Sequence, residues 1–278
     1  MREPMYDAVL NVHDHLVHIG VNLPDELKLR DPREPGRREK MMYEDRIMRI
    51  LLRYWRKQAR IVKDRLEYFE NNRTLLVPPY DPVIEPAFAD DIDDELEADL
   101  QRTIGQAANH GILLFGAGLA LAFNDTIAKT KAMKWVHKHV GEFIKQIGDT
   151  TRKALQDLIG VFATTPEMSL SDLWWALPFD ERRARVAAVT EVTNVYGQVG
   201  QISGQEFARQ YPRIHLARTW YTEQDDRVCE ICAPLDGMTV AADDFFTTEG
   251  DQSLGLESPP AHINCRCWVE YDTGGANV

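Results

Sequence analysis

The residues best able to do chemistry in this chain are its four cysteines, and all of them fall in two short stretches. Cys229 and Cys232 lie in "RVCEICAPLDG" (227–237), and Cys265 and Cys267 lie in "PPAHINCRCW" (259–268), with His262 beside the second pair. Two thiolates separated by two residues can turn back on one ion, and a second ligand pair then closes a tetrahedral zinc site. The second stretch offers one donor more than such a site can use. Cys229, Cys232 and Cys265 are the expected fixed ligands, with His262 and Cys267 competing for the fourth position. Cys265 and Cys267 would face the same side of a strand, since side chains alternate, while His262 would reach in from the preceding turn. Two disulfides, or unpaired core thiols, are the alternatives; disulfides fit poorly with a protein made in the cytosol. A closed all-thiolate or near-thiolate site is structural, because no position is left open for water.

Catalytic patterns are missing. No glutamate follows His215 or His262 at the H-x-E spacing of zinc deaminases. There is no H-E-x-x-H, no P-loop and no Gly-x-Ser-x-Gly elbow. No residue is therefore assigned as catalytic. Glu191 reads as a solvated or ion-paired helix carboxylate, and Asp225 and Asp226 as turn caps ahead of the first cysteine pair.

The elements that must position these groups are mainly helical. Between 43 and 69, apolar residues recur at steps of three and four with basic residues between them, which predicts a long amphipathic helix. Four prolines in "LLVPPYDPVIEPAF" (75–88) predict an extended connector. Helices are expected again over 92–123 and 127–147, with a short one over 151–162. The run "GILLFGAGLALAF" (111–123) is shorter than the roughly 20 residues a membrane span needs, so it is expected as a buried helix whose small residues allow close packing. After a short helix and a break at Pro178, a long helix should start at Asp180 as N-cap. "IHLARTWYTEQDD" and "CRCWVEY" alternate like strands, so the cysteines should sit in a small sheet. The expected fold is mainly α: an N-terminal helical bundle followed by a small α+β C-terminal domain with a zinc-stapled sheet. The expected units are an extended charged arm over 1–40, a helical domain over 41–165 and the Cys/His domain over 166–278.

With 278 residues, 44% of them hydrophobic, the chain can bury a sizeable core. Its start lacks the basic, apolar and small-residue features of a signal peptide, so synthesis in the cytosol with no membrane anchor is expected. A net charge of -12 argues against a protein that simply coats nucleic acid. The distribution is uneven, however: 28–65 is basic and 67–99 is acidic. Arg46, Arg49, Arg53, Arg56, Lys57, Arg60 and Lys63 are therefore candidates for contact with DNA or an acidic partner, unless the two runs neutralise one another. Trp174 and Trp175 are candidate anchors, since adjacent helical side chains point about 100° apart and one core can rarely take both.

Several uncommon residues occur in a fixed order: Ala188, Thr190 and Glu191; Trp220, Thr222, Asp225 and Asp226; Cys229, Cys232, Leu235 and Gly237; then Pro260, His262, Cys265, Arg266 and Cys267. Over about 166–271 this order resembles the C-terminal domain of the phage Mu F-like head morphogenesis, or minor head protein, family. One departure is Ile263, where the family usually has proline. The resemblance implies a minor structural protein of a tailed phage or prophage, associated with the portal protein inside the capsid. It also implies a role in capsid assembly and in DNA packaging or ejection, with phage DNA and major capsid or scaffold proteins as further partners, after assembly in the host cytoplasm. Some members carry an enzymatic toxin domain behind this module; with seven residues after Tyr271, none is expected in this chain. Two other classes stay open: an enzyme, nuclease or ADP-ribosyltransferase-like, built around Glu191, Arg218 and the acidic pair, and a zinc-containing DNA-binding protein.

Overall fold

Four long helices bury apolar stripes against one another, and a small sheet is laid across one end of the group. A computed structural model describes residues 31, 33–69, 76–119, 121–224, 228–247 and 255–274. The order is α1 (Arg37–Glu67), α2 (Asp81–Ile84), α3 (Asp90–Gly118), α4 (Thr126–Thr164), α5 (Leu170–Ala176), α6 (Glu181–Gln210), β1 (Ala217–Tyr221), β2 (Thr239–Ala241) and β3 (Trp268–Asp272). The protein is mainly helical with a C-terminal three-stranded antiparallel sheet. No helix among the described residues is long and apolar enough to cross a membrane.

Both α3 and α6 pack against α1 and α4, so α1 and α4 flank a central pair. Ile47, Leu51 and Trp55 of α1 meet Leu100 and Ile104 of α3, Val136 and Val140 of α4, and Val192 and Val195 of α6 in one core. The helix over 181–210 thus shares the core of the helices that precede it. Its start is set locally: the Asp180 side chain accepts from Arg183 N at 2.8 Å, which satisfies one of the free first-turn N–H groups. A second core joins the end of α1 to residues 76–88, the end of α4 and α5, around Val62, Leu66, Ile84, Ile159 and Phe162.

Several local expectations change. The 151–162 segment is no separate helix, because α4 runs unbroken from Thr126 to Thr164. The proline connector is helical from Asp81 to Phe88: its prolines occupy first-turn positions, where a missing N–H costs nothing. The apolar run 111–123 is helical only to Gly118, with Leu113, Ala117 and Gly118 exposed. Of its small residues, Gly111 lets α6 approach, against Val199 and Tyr196. Most of the expected arm, residues 1–30 and 32, lies outside the described residues. The described end of that arm is not all solvent-exposed: Asp31, Glu34 and Lys40 are buried, and α1 begins at Arg37.

The sheet has the order β2-β1-β3, with Arg218 opposite Val240 and Tyr271. It rides on one face of α6. Gly200 and Gly204 receive the ring of Tyr271, and Gly197 lies under the backbone of Pro259. A Cβ at Gly197 would stand well inside van der Waals distance of the Pro259 carbonyl, which cannot swing away as a side chain can. Gly197→Ala should therefore cost about 1–3 kcal/mol as an overpacking change. Gly141→Ala, on an α4 position where an added Cβ meets nothing within 4 Å, should stabilise by about 0.5–1 kcal/mol. Denaturant unfolding of the two variants checks both signs.

Candidate metal centre

Two turns and one extended segment bring the donors together. Cys229 opens a turn in which Cys232 N and Ala233 N donate back to its carbonyl, at 3.1 and 2.9 Å, and a short 3-10 turn, Ala233–Leu235, follows. That turn is tied to β1: Asp236 Oδ1 accepts from Thr222 N at 2.8 Å and from Thr222 Oγ1 at 3.0 Å. His262 lies on a second turn, which Cys265 N closes by donating to the His262 carbonyl at 3.2 Å. Cys265 and Cys267 follow just before β3 and are both buried.

His262 Nε2 lies 2.9 Å from Cys229 Sγ and 3.2 Å from Cys232 Sγ, and Cys232 Sγ lies 3.9 Å from Cys265 Sγ. Two three-donor sets result, Cys229–Cys232–His262 and Cys232–Cys265–Cys267, with Cys232 common to both. A tetrahedral zinc with bonds of about 2.0–2.3 Å places its ligand atoms roughly 3.5–3.8 Å apart. The separations of His262 from Cys229 and Cys232, and of Cys232 from Cys265, come near that spacing. All four cysteines are free thiols.

The surroundings favour negative charge on one sulfur, that of Cys265. Cys232 N donates to Cys229 Sγ at 3.4 Å. Hydrogen bonds from Cys232 and Cys267, helped by the backbone N–H groups of Cys267 and Ala261, hold the Cys265 thiol well below its usual pKa against the opposing effect of burial. The same contacts push Cys232 up, because a buried sulfur beside a thiolate keeps its proton. The indole N–H of wholly buried Trp220 stands near Cys267 without closing a full hydrogen bond. Cys267 is nevertheless pushed up: its contact with Cys232 would lower it, but its hydrogen bond with Cys265 and burial outweigh that. These donors fit a thiophilic divalent metal such as zinc, which binds thiolates and displaces their protons.

The donor loop is fastened to α6. Thr193 Oγ1 donates to the Cys265 carbonyl at 2.9 Å, and Asn264 N donates to Thr190 Oγ1 at 2.7 Å. Asn264 takes a left-handed conformation, φ 63°, to make that turn. Arg218 reaches from β1 over the ring of Phe246 and donates to the carbonyls of Asp244 and Glu257, closing the base of the loop between them. Thr193 and Gly197 escaped sequence reading. Their signal is the three- and four-residue spacing of Thr190, Thr193, Gly197, Gly200 and Gly204 on one helix face.

The other candidates lie elsewhere. Arg53 and Lys57 of α1 pair with Asp99 and Glu95 of α3, Arg46 donates to Gln106 at 3.0 Å, and Arg49 and Lys63 pair along their own helix with Asp45 and Glu67. Arg56 and Arg60 are exposed and without an ion pair among the described residues. Trp174 is half-buried with Lys63 over its ring, while Trp175 is 83% exposed. Asp225 and Asp226 lie outside the described residues. Glu191 and Arg218, grouped together in the enzyme reading, have separate partners.

Glu191 is buried beside His139 of α4, with Oε1 2.6 Å from His139 Nε2, and the His139 ring stacks on Trp135 with centroids 4.4 Å apart. Burial opposes charge on His139, but the hydrogen bond and charge of Glu191, with Glu142 nearby, outweigh it and raise the pKa. A raised histidine pKa means that this stabilisation is fully present below the unfolded value of about 6.5 and is lost as pH rises through the higher folded value. His139→Gln should remove it. Thermal midpoints at about pH 6 and about pH 9 should fall further with pH in the parent than in the variant; equal falls would show that the pair contributes nothing.

Comparison with curated proteins and with solved structures finds no match. A family model does match, and its span begins at His139, upstream of the 166–271 stretch, so that it takes in both the His139–Glu191 pair and the cysteine cluster. Residues 139–270 match the family model of phage Mu protein F-like proteins, and this chain carries a phage Mu F-like domain running from the middle of α4 into β3.

Proposed function

We propose that this protein is a minor head protein of a tailed phage or prophage, acting in head morphogenesis beside the portal, with zinc as the staple of its C-terminal sheet. The observation that carries the reading is the phage Mu F-like match over 139–270. Its proposed place is the capsid interior near the portal, with portal, major capsid or scaffold proteins as partners. The proposed role is structural. Glu191 is engaged by His139, and Arg218 by loop carbonyls, which leaves the enzymatic reading without an assembled site among the described residues.

In this reading Cys229, Cys232, His262 and Cys265 hold the metal, since His262 touches both sulfurs of the first pair and Cys265 touches Cys232. Cys267 remains a buried neighbour. Bound zinc would join the two turns and keep the Asn264–Cys265 segment on α6. The purified protein should contain about one zinc per chain, and a strong chelator should change the fluorescence of Trp220 and Trp268 while helical circular dichroism persists. Cys229→Ser should lose the metal, whereas Cys267→Ser should retain it. Retention by the first and loss by the second would reverse this assignment.

Of the adjacent pair, exposed Trp175 is the proposed portal anchor and half-buried Trp174 its support in the core. Co-expression with the portal protein of the same phage should give a complex that survives gel filtration. Trp175→Ala should weaken that complex with unchanged thermal stability, and Trp174→Ala should lower stability instead. A complex indifferent to Trp175 would move the portal surface elsewhere. Phage DNA is the weaker proposed partner, because Arg49, Arg53, Lys57 and Lys63 are already ion-paired and Arg46 bonds Gln106; retardation of duplex DNA at low salt, lost at moderate salt, is the expected behaviour of Arg56 and Arg60.

A further inference from the structure

A cavity of about 320 Å³ opens beside the metal centre, walled by the C-terminal end of α3, the middle of α6, residues 34–40 and residues 267–271. Its size lies at the lower end of the roughly 300–1,000 Å³ typical of ligand pockets. Three independent features make it a place for positive charge.

The first is the end of α3. The last carbonyls of a helix lack partners within it and carry partial negative charge, which a basic residue in the last turn commonly offsets. Here the last turn holds no basic residue, and Ala117 and Gly118 stand exposed at the cavity mouth. The second is Glu270. It is half-buried in the cavity wall, receives the Trp268 indole N–H at 2.8 Å, and has no ion pair among the described residues. An indole N–H orients a carboxylate but leaves its charge uncompensated. The third is the aromatic lining, Phe115, Tyr196, Trp268 and Tyr271, whose ring faces attract cations. The wall already shows that use: Lys40, from the first turn of α1, places Nζ 4.6 Å from the Tyr196 ring centroid and 2.6 Å from Glu34 Oε1. Lys40 thus already has a carboxylate in Glu34, whereas Glu270 has no ion pair among the described residues.

We propose that this cavity receives an arginine side chain of another protein, its guanidinium shared between Glu270 and the carbonyl end of α3. Arginine fits better than lysine because its planar fork carries five donors, enough to meet a carboxylate and a row of carbonyls together, and its flat face stacks on aromatic rings. The charge of the whole chain, -12, favours a basic partner segment. The inference stands apart from the head-protein reading, since it rests on the cavity alone.

The test uses the full, zinc-replete chain and the capped tripeptide acetyl-Gly-Arg-Gly-amide, following the Trp268 indole N–H by NMR. A saturable shift with millimolar affinity is expected, absent with the matching glutamate tripeptide. Glu270→Gln should weaken binding at least tenfold. Gly118→Leu should do the same by filling the mouth; a Cβ there meets nothing within 4 Å, so that variant keeps the fold. Equal response to the acidic peptide, no saturable shift, or undiminished binding by both variants would overturn the proposal.

Discussion

The backbone of Pro259 lies against Gly197 so closely that no side chain fits between them, and on the same face of α6 the hydroxyls of Thr190 and Thr193 bond Asn264 and Cys265. That seating governs the C-terminal third of the protein. The sheet is small, with strands of five, three and five residues, and too little apolar surface is buried in so few residues to hold a unique arrangement unaided. Its order therefore depends on two outside supports, the glycine and threonine face of α6 beneath it and the sulfur and imidazole cluster above. A metal in that cluster would draw together two turns that are some thirty residues apart in the chain, and the strongest gain from such a link comes where the loop it closes is long. Since α6 also belongs to the core shared with α1, α3 and α4, the metal loop is fixed to the helical body rather than hung from it.

Charge is organised on the same scale. The acidic start of α3 lies against α1, where Asp99 and Glu95 take up Arg53 and Lys57 and Asp93 accepts from the Tyr54 hydroxyl. Exposed pairs of this kind add little stability each. What they do is offset part of the field that the basic helix would otherwise present to a polyanion. The negative surplus of the chain is felt elsewhere, and the carboxylate of Glu270 beside the open end of α3 is one place where it meets a cavity.

Much of this protein was determined by sequence alone, wherever the deciding interactions are local. Steps of three and four residues marked the long helices, alternation marked the strands at 217–221 and 268–272, and Asp180 announced the start of α6, because each of these depends on neighbours within a few positions. The fixed order of cysteines, histidine, tryptophan and threonine was enough to point to the phage Mu F-like domain. Tertiary structure alone decided the rest. It showed that 151–162 continues α4, since nothing local distinguishes one long helix from two short ones without a breaker. It turned the proline segment into helix by placing Pro82 and Pro86 in first turns. It buried Lys40 on Glu34, gave Arg53 and Lys57 carboxylate partners about forty residues away, and put His139 on Glu191, because which charges meet depends on how helices cross and not on either helix by itself. The same holds for the donor set: spacing could gather five candidate ligands, but only the packing of two turns against β3 and α6 places His262 on Cys229 and Cys232 and groups Cys232 with Cys265 and Cys267.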